Sequence, residues 1–81
     1  MADSGSSAQD LDREIEIAHK SGDAHRLIEL YTRAADLHEQ AGNIDAACFF
    51  LTNALVFALQ EGVAVAQTLR QRLHDHGREE L

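Results

Sequence analysis

Three short breaks that contain glycine divide this sequence into four segments with a helical pattern, and the two inner segments are about equal in length. The breaks are Ser21–Asp23, Ala41–Asn43 and Glu61–Gly62. Glycine tolerates the left-handed backbone in which a chain commonly leaves a helix. The Asp or Asn that follows the first two glycines can accept hydrogen bonds from the free N–H groups of the next helix. The pattern therefore predicts antiparallel helix pairs.

The composition also favours helices over strands. The chain has 81 residues, 44% of them hydrophobic, with no Pro, no Trp and only 5% aromatic residues. Residues that support helices dominate, and a chain of this length can bury only one small core. We predict an all-α fold, a four-helix antiparallel array. Its single helical domain spans residues 9–77, between a flexible tail over residues 1–8 and a frayed tail over residues 78–81.

The charge and the cysteine content bear on partners and location. Fourteen acidic and seven basic side chains give a formal charge of −7 at pH 7, which repels nucleic acid and anionic membranes. Cys48 is the only cysteine, so no internal disulfide can form, and the N-terminus has no secretory pattern. These features predict a cytoplasmic protein. The apolar stretch Ala46–Leu59 is interrupted by polar residues and is shorter than a bilayer needs, so we predict a buried helix.

The third segment, Ile44–Gln60, is apolar on almost every side. A core stripe of small and large apolar residues is widened on one flank by Phe50 and Phe57, while Phe49 and Val56 lie nearly opposite. A helix of this kind needs partners on more than one side. We predict that these four residues bind another protein or a second copy of the chain. The alternative is that the first and fourth helices fold back over them.

The second and third segments resemble a tetratricopeptide repeat. The resemblance is carried in the first helix by Tyr31, Ala34, Ala35 and His38, in the turn by Gly42 and Ile44, and in the second helix by Ala47, Leu51 and Ala54. Small residues at this spacing let paired helices approach closely, and large ones fill the groove beside them. The resemblance covers about half of the chain and implies a protein-interaction module.

The chain also departs from that family. Ala34-Ala35 stands where the family usually has Leu-Gly, His38 replaces a tyrosine, and Leu59 replaces the proline after the second helix. Gly22 and Gly62 are 40 residues apart, which is longer than the family period of about 34 residues. The resemblance is thus to a lengthened, divergent repeat, with the outer helices as half-repeats or caps.

Nothing in the sequence indicates catalysis or a cofactor. Cys48 lies on the core stripe without the surroundings of an activated thiol, and its pattern is that of a small buried apolar residue. No glycine-rich phosphate loop, nucleophile elbow or HExxH motif is present. We predict a protein that is not an enzyme and that binds no cofactor.

Five histidines support an alternative function, a small helical bundle that binds a metal ion or small ligand through His and carboxylate side chains. His74 and His76 flank an Asp, but residues two apart on a helix point in nearly opposite directions and cannot share one ion. His19 and His25 bracket the first break and could converge only through the fold. We predict that His38 is a packed residue with a hydrogen bond, and we assign no metal ligand.

Overall fold

The computed structural model describes residues 7–78 and shows four helices. They are α1, Ser7–Ser21; α2, Ala24–Gln40; α3, Ile44–Glu61; and α4, Val65–Asp75. Residues 7–78 contain no strand, and successive helices are joined by turns of two or three residues, which makes them antiparallel. The predicted all-α fold with four helices is confirmed. Most of the two predicted tails, residues 1–6 and 79–81, lies outside the described residues.

Each helix ends in the same way. Among residues 7–78, the residues with positive φ are Gly22, Gly42, Gly62 and Gly77. At the second turn, the N–H of Asn43 donates to the carbonyl oxygen of His38 at 2.8 Å, and equivalent bonds to the carbonyl five residues back close the other three helices. This left-handed glycine motif satisfies carbonyl groups that the helix end leaves unpaired. The predicted role of the glycine breaks is confirmed.

The helix starts differ from one another. The side chain of Asp23 accepts a hydrogen bond from the N–H of Arg26, as predicted. The matching prediction for Asn43 is wrong, because its side chain makes no capping bond to α3. The fourth helix begins at Val65, three residues after Gly62, and the N–H of Val63 still donates to the carbonyl oxygen of Ala58 at the end of α3.

The core lies along the α2–α3 hairpin. These two helices share the most extensive contact, α1 packs on α2, and α4 packs on α3, in a flat molecule of 42 × 31 × 15 Å. Ala35, Ala47, Ala54 and Ala58 are fully buried, so the helices approach closely where small side chains were predicted to allow it. Cys48 is also buried.

The central helix, α3, is long and apolar enough to cross a membrane by length and composition. Its 18 residues have a mean hydropathy of 1.3, and 33% of them are buried within the fold. The prediction concerned the shorter stretch Ala46–Leu59, and the helix extends beyond that stretch at both ends. The buried residues of α3 pack against its neighbouring helices, as those of a core helix do.

Candidate functional site

The four residues predicted to bind a partner fall on two different faces of α3. Phe49 and Val56 lie on the outer face, where their side chains are 63% and 46% exposed. Phe50 and Phe57 are partly buried and pack against the core. Leu59, which we did not predict as a contact residue, joins the outer face and is 52% exposed. The structure thus separates the predicted group into an exposed pair and an inner pair.

The inner pair belongs to an aromatic cluster that joins three helices. The ring of Tyr31 stacks on Phe57, with centroids 6.0 Å apart and planes inclined by 12°, and on Phe50, also at 6.0 Å. Burial raises the pKa of the Tyr31 hydroxyl above its usual value. Offset stacking of this kind adds to the apolar burial of each ring. Phe50 and Phe57 therefore hold α2 and α3 together.

Two histidines complete the aromatic cluster. Nε2 of His19, on α1, lies 2.5 Å from the hydroxyl oxygen of Tyr31, and its ring meets Phe57 edge-on at 6.0 Å. The ring of His38 stacks on Phe50 with centroids 5.3 Å apart, so the prediction that His38 is a packed residue is confirmed. Through the ring of His19, α1 thus contacts Phe57, although the helix itself packs on α2. The fold-back that we weighed as the alternative is therefore limited on this flank to one side chain of α1.

The outer face of α3 is an uncharged stripe, which we call the outer stripe. It consists of Phe49, Thr52, Val56 and Leu59, which α-helical periodicity places near one line along the helix. Residues 46–60 include no Asp, Glu, Lys, Arg or His, although the whole chain carries a net charge of −7. Asp45 lies at the start of α3, where its carboxylate accepts a hydrogen bond from Arg78 at 2.6 Å. This bond raises the pKa of Arg78, with a further contribution from Cys48.

A recess adjoins the N-terminal half of the outer stripe. It is an open groove of about 530 Å³, and its lining includes Asp45, Cys48, Phe49 and Thr52 together with Arg78. Asn53 is a fifth α3 residue of the lining, and the other four have the spacing i, i+3, i+4, i+7, which forms the hole that accepts one side chain of a facing helix in knobs-into-holes packing. This groove could not be predicted from the sequence because Arg78 comes from the far end of the chain.

A second polar cluster joins α4 to α2. The guanidinium of Arg72 donates to Asp36 at 2.7 Å and to Glu39 at 2.8 Å, and Nε2 of His76 lies 2.7 Å from the other Glu39 oxygen. The hydrogen bond with His76, followed by those with Arg72, lowers the pKa of Glu39. Burial opposes the charge on Arg72, but its two carboxylate partners outweigh burial and raise its pKa. These ion pairs fasten the end of α4.

The histidines of the described part of the chain do not converge. His19 contacts Tyr31, His25 lies 3.3 Å from Glu61, and His76 contacts Glu39. Among residues 7–78, no group of three or more His, Cys, Asp or Glu side chains is placed to hold a metal ion. The structure therefore brings together none of the histidine sets that we considered as ligands.

Phe49, Val56 and Leu59 remain as the candidate site, with the groove beside them. Leu59 and Arg78 are the residues that sequence reasoning missed. The signal for Leu59 was its seven-residue spacing from Thr52, which is the same as the spacing between Phe49 and Val56. No protein-family model, curated protein or solved structure matches this chain.

Proposed function

We propose that this chain is a small protein–protein interaction module without catalytic activity, built on a tetratricopeptide-like helix pair, and that the outer stripe of α3 is its contact surface. The observation that carries the proposal is the alignment of Phe49, Val56 and Leu59 on the outside of the helix that is central to the fold. Single exposed apolar residues are common on proteins. Three in a line beside an open groove are typical of a surface that another chain covers.

The apolar and uncharged side chains of the outer stripe support a protein partner. Large apolar and aromatic side chains enrich the centres of protein interfaces, and charged side chains are depleted there. Phe49 is an exposed aromatic side chain without charge. Its ring contacts the half-buried ring of Phe50 edge-on, with centroids 5.3 Å apart. A side chain that is already ordered loses less conformational entropy on binding, so more of its burial contributes to affinity.

The helix pair itself supports the tetratricopeptide-like part of the proposal. Ala34, Ala47 and Ala54, which carry the resemblance, are buried, and close approach of paired helices requires small side chains. Repeats of such helix pairs form extended surfaces that bind partners. The resemblance and the exposed stripe thus favour the same kind of function.

We also propose a cytoplasmic setting, with neither nucleic acid nor membrane as a partner. The lone Cys48 is buried and cannot pair within the chain, and the net charge of −7 repels phosphate-bearing surfaces. Although α3 is long enough to cross a bilayer, its inner side packs on α2 and α4. Exposing that side to lipid would require the hairpin to open.

The experiment compares proteins captured from the native source by three forms of the chain: the parent, Phe49→Ser/Val56→Ser, and Ile17→Ser. Ile17 is 57% exposed but lies on α1, so it controls for the loss of any exposed apolar side chain. We expect the parent and the Ile17 variant to retain the same protein, which includes untagged copies of this chain if they are present. The double variant should retain at least about tenfold less, as expected for a hot-spot pair.

The melting temperature of each variant accompanies the capture. If the double variant keeps its fold and still captures everything that the parent captures, the outer stripe is not the contact surface. If all three forms capture nothing, including themselves, the function as an interaction module is wrong.

A further inference from the structure

We propose that the occupant of the outer stripe is a second copy of this chain, whose α3 lies antiparallel to the first across a two-fold axis near Thr52 and Asn53. This inference rests on the proposed function and names the partner. Three observations carry it: the distribution of charge along α3, the placement of a recess and a protrusion on the same stripe, and the size of the surface.

The charge distribution favours contact between two copies through the outer stripe, with their α3 helices antiparallel. Each copy carries −7, so two copies repel each other over most of their surface. Residues 46–60 lack ionisable side chains other than Cys48, so α3 is where two copies can meet without facing like charges. A parallel pair of α3 helices would place the exposed Asp45 of one copy opposite Asp45 of the other. An antiparallel pair separates these carboxylates by the length of the stripe.

The shape of the stripe is complementary to itself under the same symmetry. The groove is lined by Asp45, Cys48, Phe49, Thr52, Asn53 and Arg78. It extends from the proposed axis towards the N-terminal end of α3, and the exposed Val56 lies on the other side of the axis. Val56 and the centre of the groove each lie about 5 Å from the axis, because an α-helix rises about 1.5 Å per residue. Val56 of each copy therefore meets the groove of the other, and Phe49 packs beside it. A two-fold interface requires this pairing of a protrusion with a recess on one surface.

The size of the stripe predicts a weak dimer. Stable complexes bury at least about 1,200 Å² of total surface, and interfaces below that area are transient. The outer stripe is one face of a single 18-residue helix beside an open groove, so we expect the dimer to bury less than about 1,200 Å². Self-association should therefore depend strongly on protein concentration, with the monomer and the dimer in rapid exchange.

The first test is the molar mass measured by light scattering over a wide dilution series. We expect it to rise from the monomer mass of 8.9 kDa towards twice that value as the concentration increases. Phe49→Ser/Val56→Ser should raise the dissociation constant about tenfold or more, whereas Ile17→Ser should leave it unchanged. Circular dichroism of each variant establishes that the helices are retained.

Salt dependence distinguishes a second copy from a basic partner. Added salt screens the repulsion between two acidic copies, so the dimer should become tighter as ionic strength rises. A complex held by attraction to a basic protein becomes weaker under the same conditions. Self-association that weakens with added salt would contradict the uncharged contact proposed here.

Orientation is tested by cross-linking in a Cys48→Ala background. One preparation carries Asp45→Cys and the other carries Gln60→Cys. In the antiparallel dimer these positions face each other, so the mixture should form a disulfide-linked heterodimer. Each preparation alone should not, because its two cysteines lie about 22 Å apart. If each preparation forms its own disulfide-linked dimer efficiently and the mixture forms no heterodimer, the antiparallel arrangement is wrong.

The outcomes also separate this inference from the proposed function. A molar mass that stays at 8.9 kDa at every concentration overturns the dimer, even if another protein or a lipid vesicle binds the stripe in a Phe49-dependent way. In that case the proposed function is judged by the capture experiment alone. A dimer that is insensitive to Phe49→Ser/Val56→Ser uses a different surface and also overturns the inference.

Discussion

The imidazole Nε2 of His76 lies 2.7 Å from a carboxylate oxygen of Glu39, although the two residues are 37 positions apart in the chain. This contact joins the residue that follows α4 to the last turn of α2. Arg72 donates to the other oxygen of the same carboxylate and to Asp36. Since α4 has only 11 residues, we infer that these charged contacts contribute to its attachment alongside the burial of Leu69 and Leu73.

The first prediction concerns pH. The pKa of Glu39 is lowered from its ordinary value of 4.5 by hydrogen bonds with His76 and Arg72. A lowered pKa in the folded state stabilises the fold above the ordinary value, and this contribution is lost as the pH falls through the lowered value. The free energy of unfolding should therefore decrease as the pH falls below about 4.5. Glu39→Gln should be less stable than the parent at neutral pH and should approach it in acid.

Chemical denaturation at a series of pH values provides the measurement. Glu16→Gln is the matched control, because Glu16 forms a highly exposed ion pair with Lys20, and such pairs contribute little to stability. If Glu39→Gln follows the parent at every pH, the contact with His76 and Arg72 does not contribute to folding.

The contacts of Glu39 mark the limit of what the sequence could predict. Glycine positions and apolar periodicity act locally, so the helix bounds and the buried stripe of α3 could be predicted within a few residues. Whether His76 faces a metal, solvent or Glu39 depends on how α4 packs, and its own segment contains no such information. The same limit explains why Phe50 and Phe57 were grouped with Phe49. Periodicity shows which residues share one face of a helix, but it does not show which neighbouring helix covers that face.

The second prediction concerns the core. Leu51 is fully buried at the centre of α3, so Leu51→Ala should lower the free energy of unfolding by about 2–5 kcal/mol through lost apolar burial and a residual cavity. Leu59→Ala, on the exposed face of the same helix, should change it by less than about 0.5 kcal/mol. Urea unfolding of both variants measures the difference. Equal effects would mean that the orientation of α3 is wrong.

The third prediction tests the turn between α2 and α3. Gly42 has φ +82°, and a Cβ atom added there would meet no other atom within 4 Å. Any cost of Gly42→Ala therefore comes from the left-handed backbone and should be about 1 kcal/mol. Gly42→Asn should cost less, because Asn tolerates this conformation better than Ala does. Thermal unfolding of the two variants gives the comparison, and an Ala variant as stable as the parent would contradict the left-handed turn.

The last prediction separates the two faces of α3 that the sequence could not distinguish. Phe50→Ser/Phe57→Ser removes both rings that stack on Tyr31 and leaves polar groups in a partly buried site. This variant should therefore melt far below the parent. Phe49→Ser/Val56→Ser removes side chains from the exposed face and should melt close to the parent, as exposed substitutions usually do. Melting curves recorded at low concentration, where the monomer dominates, make the comparison. If both double variants unfold alike, Phe49 and Val56 contribute to the core as much as the inner pair does.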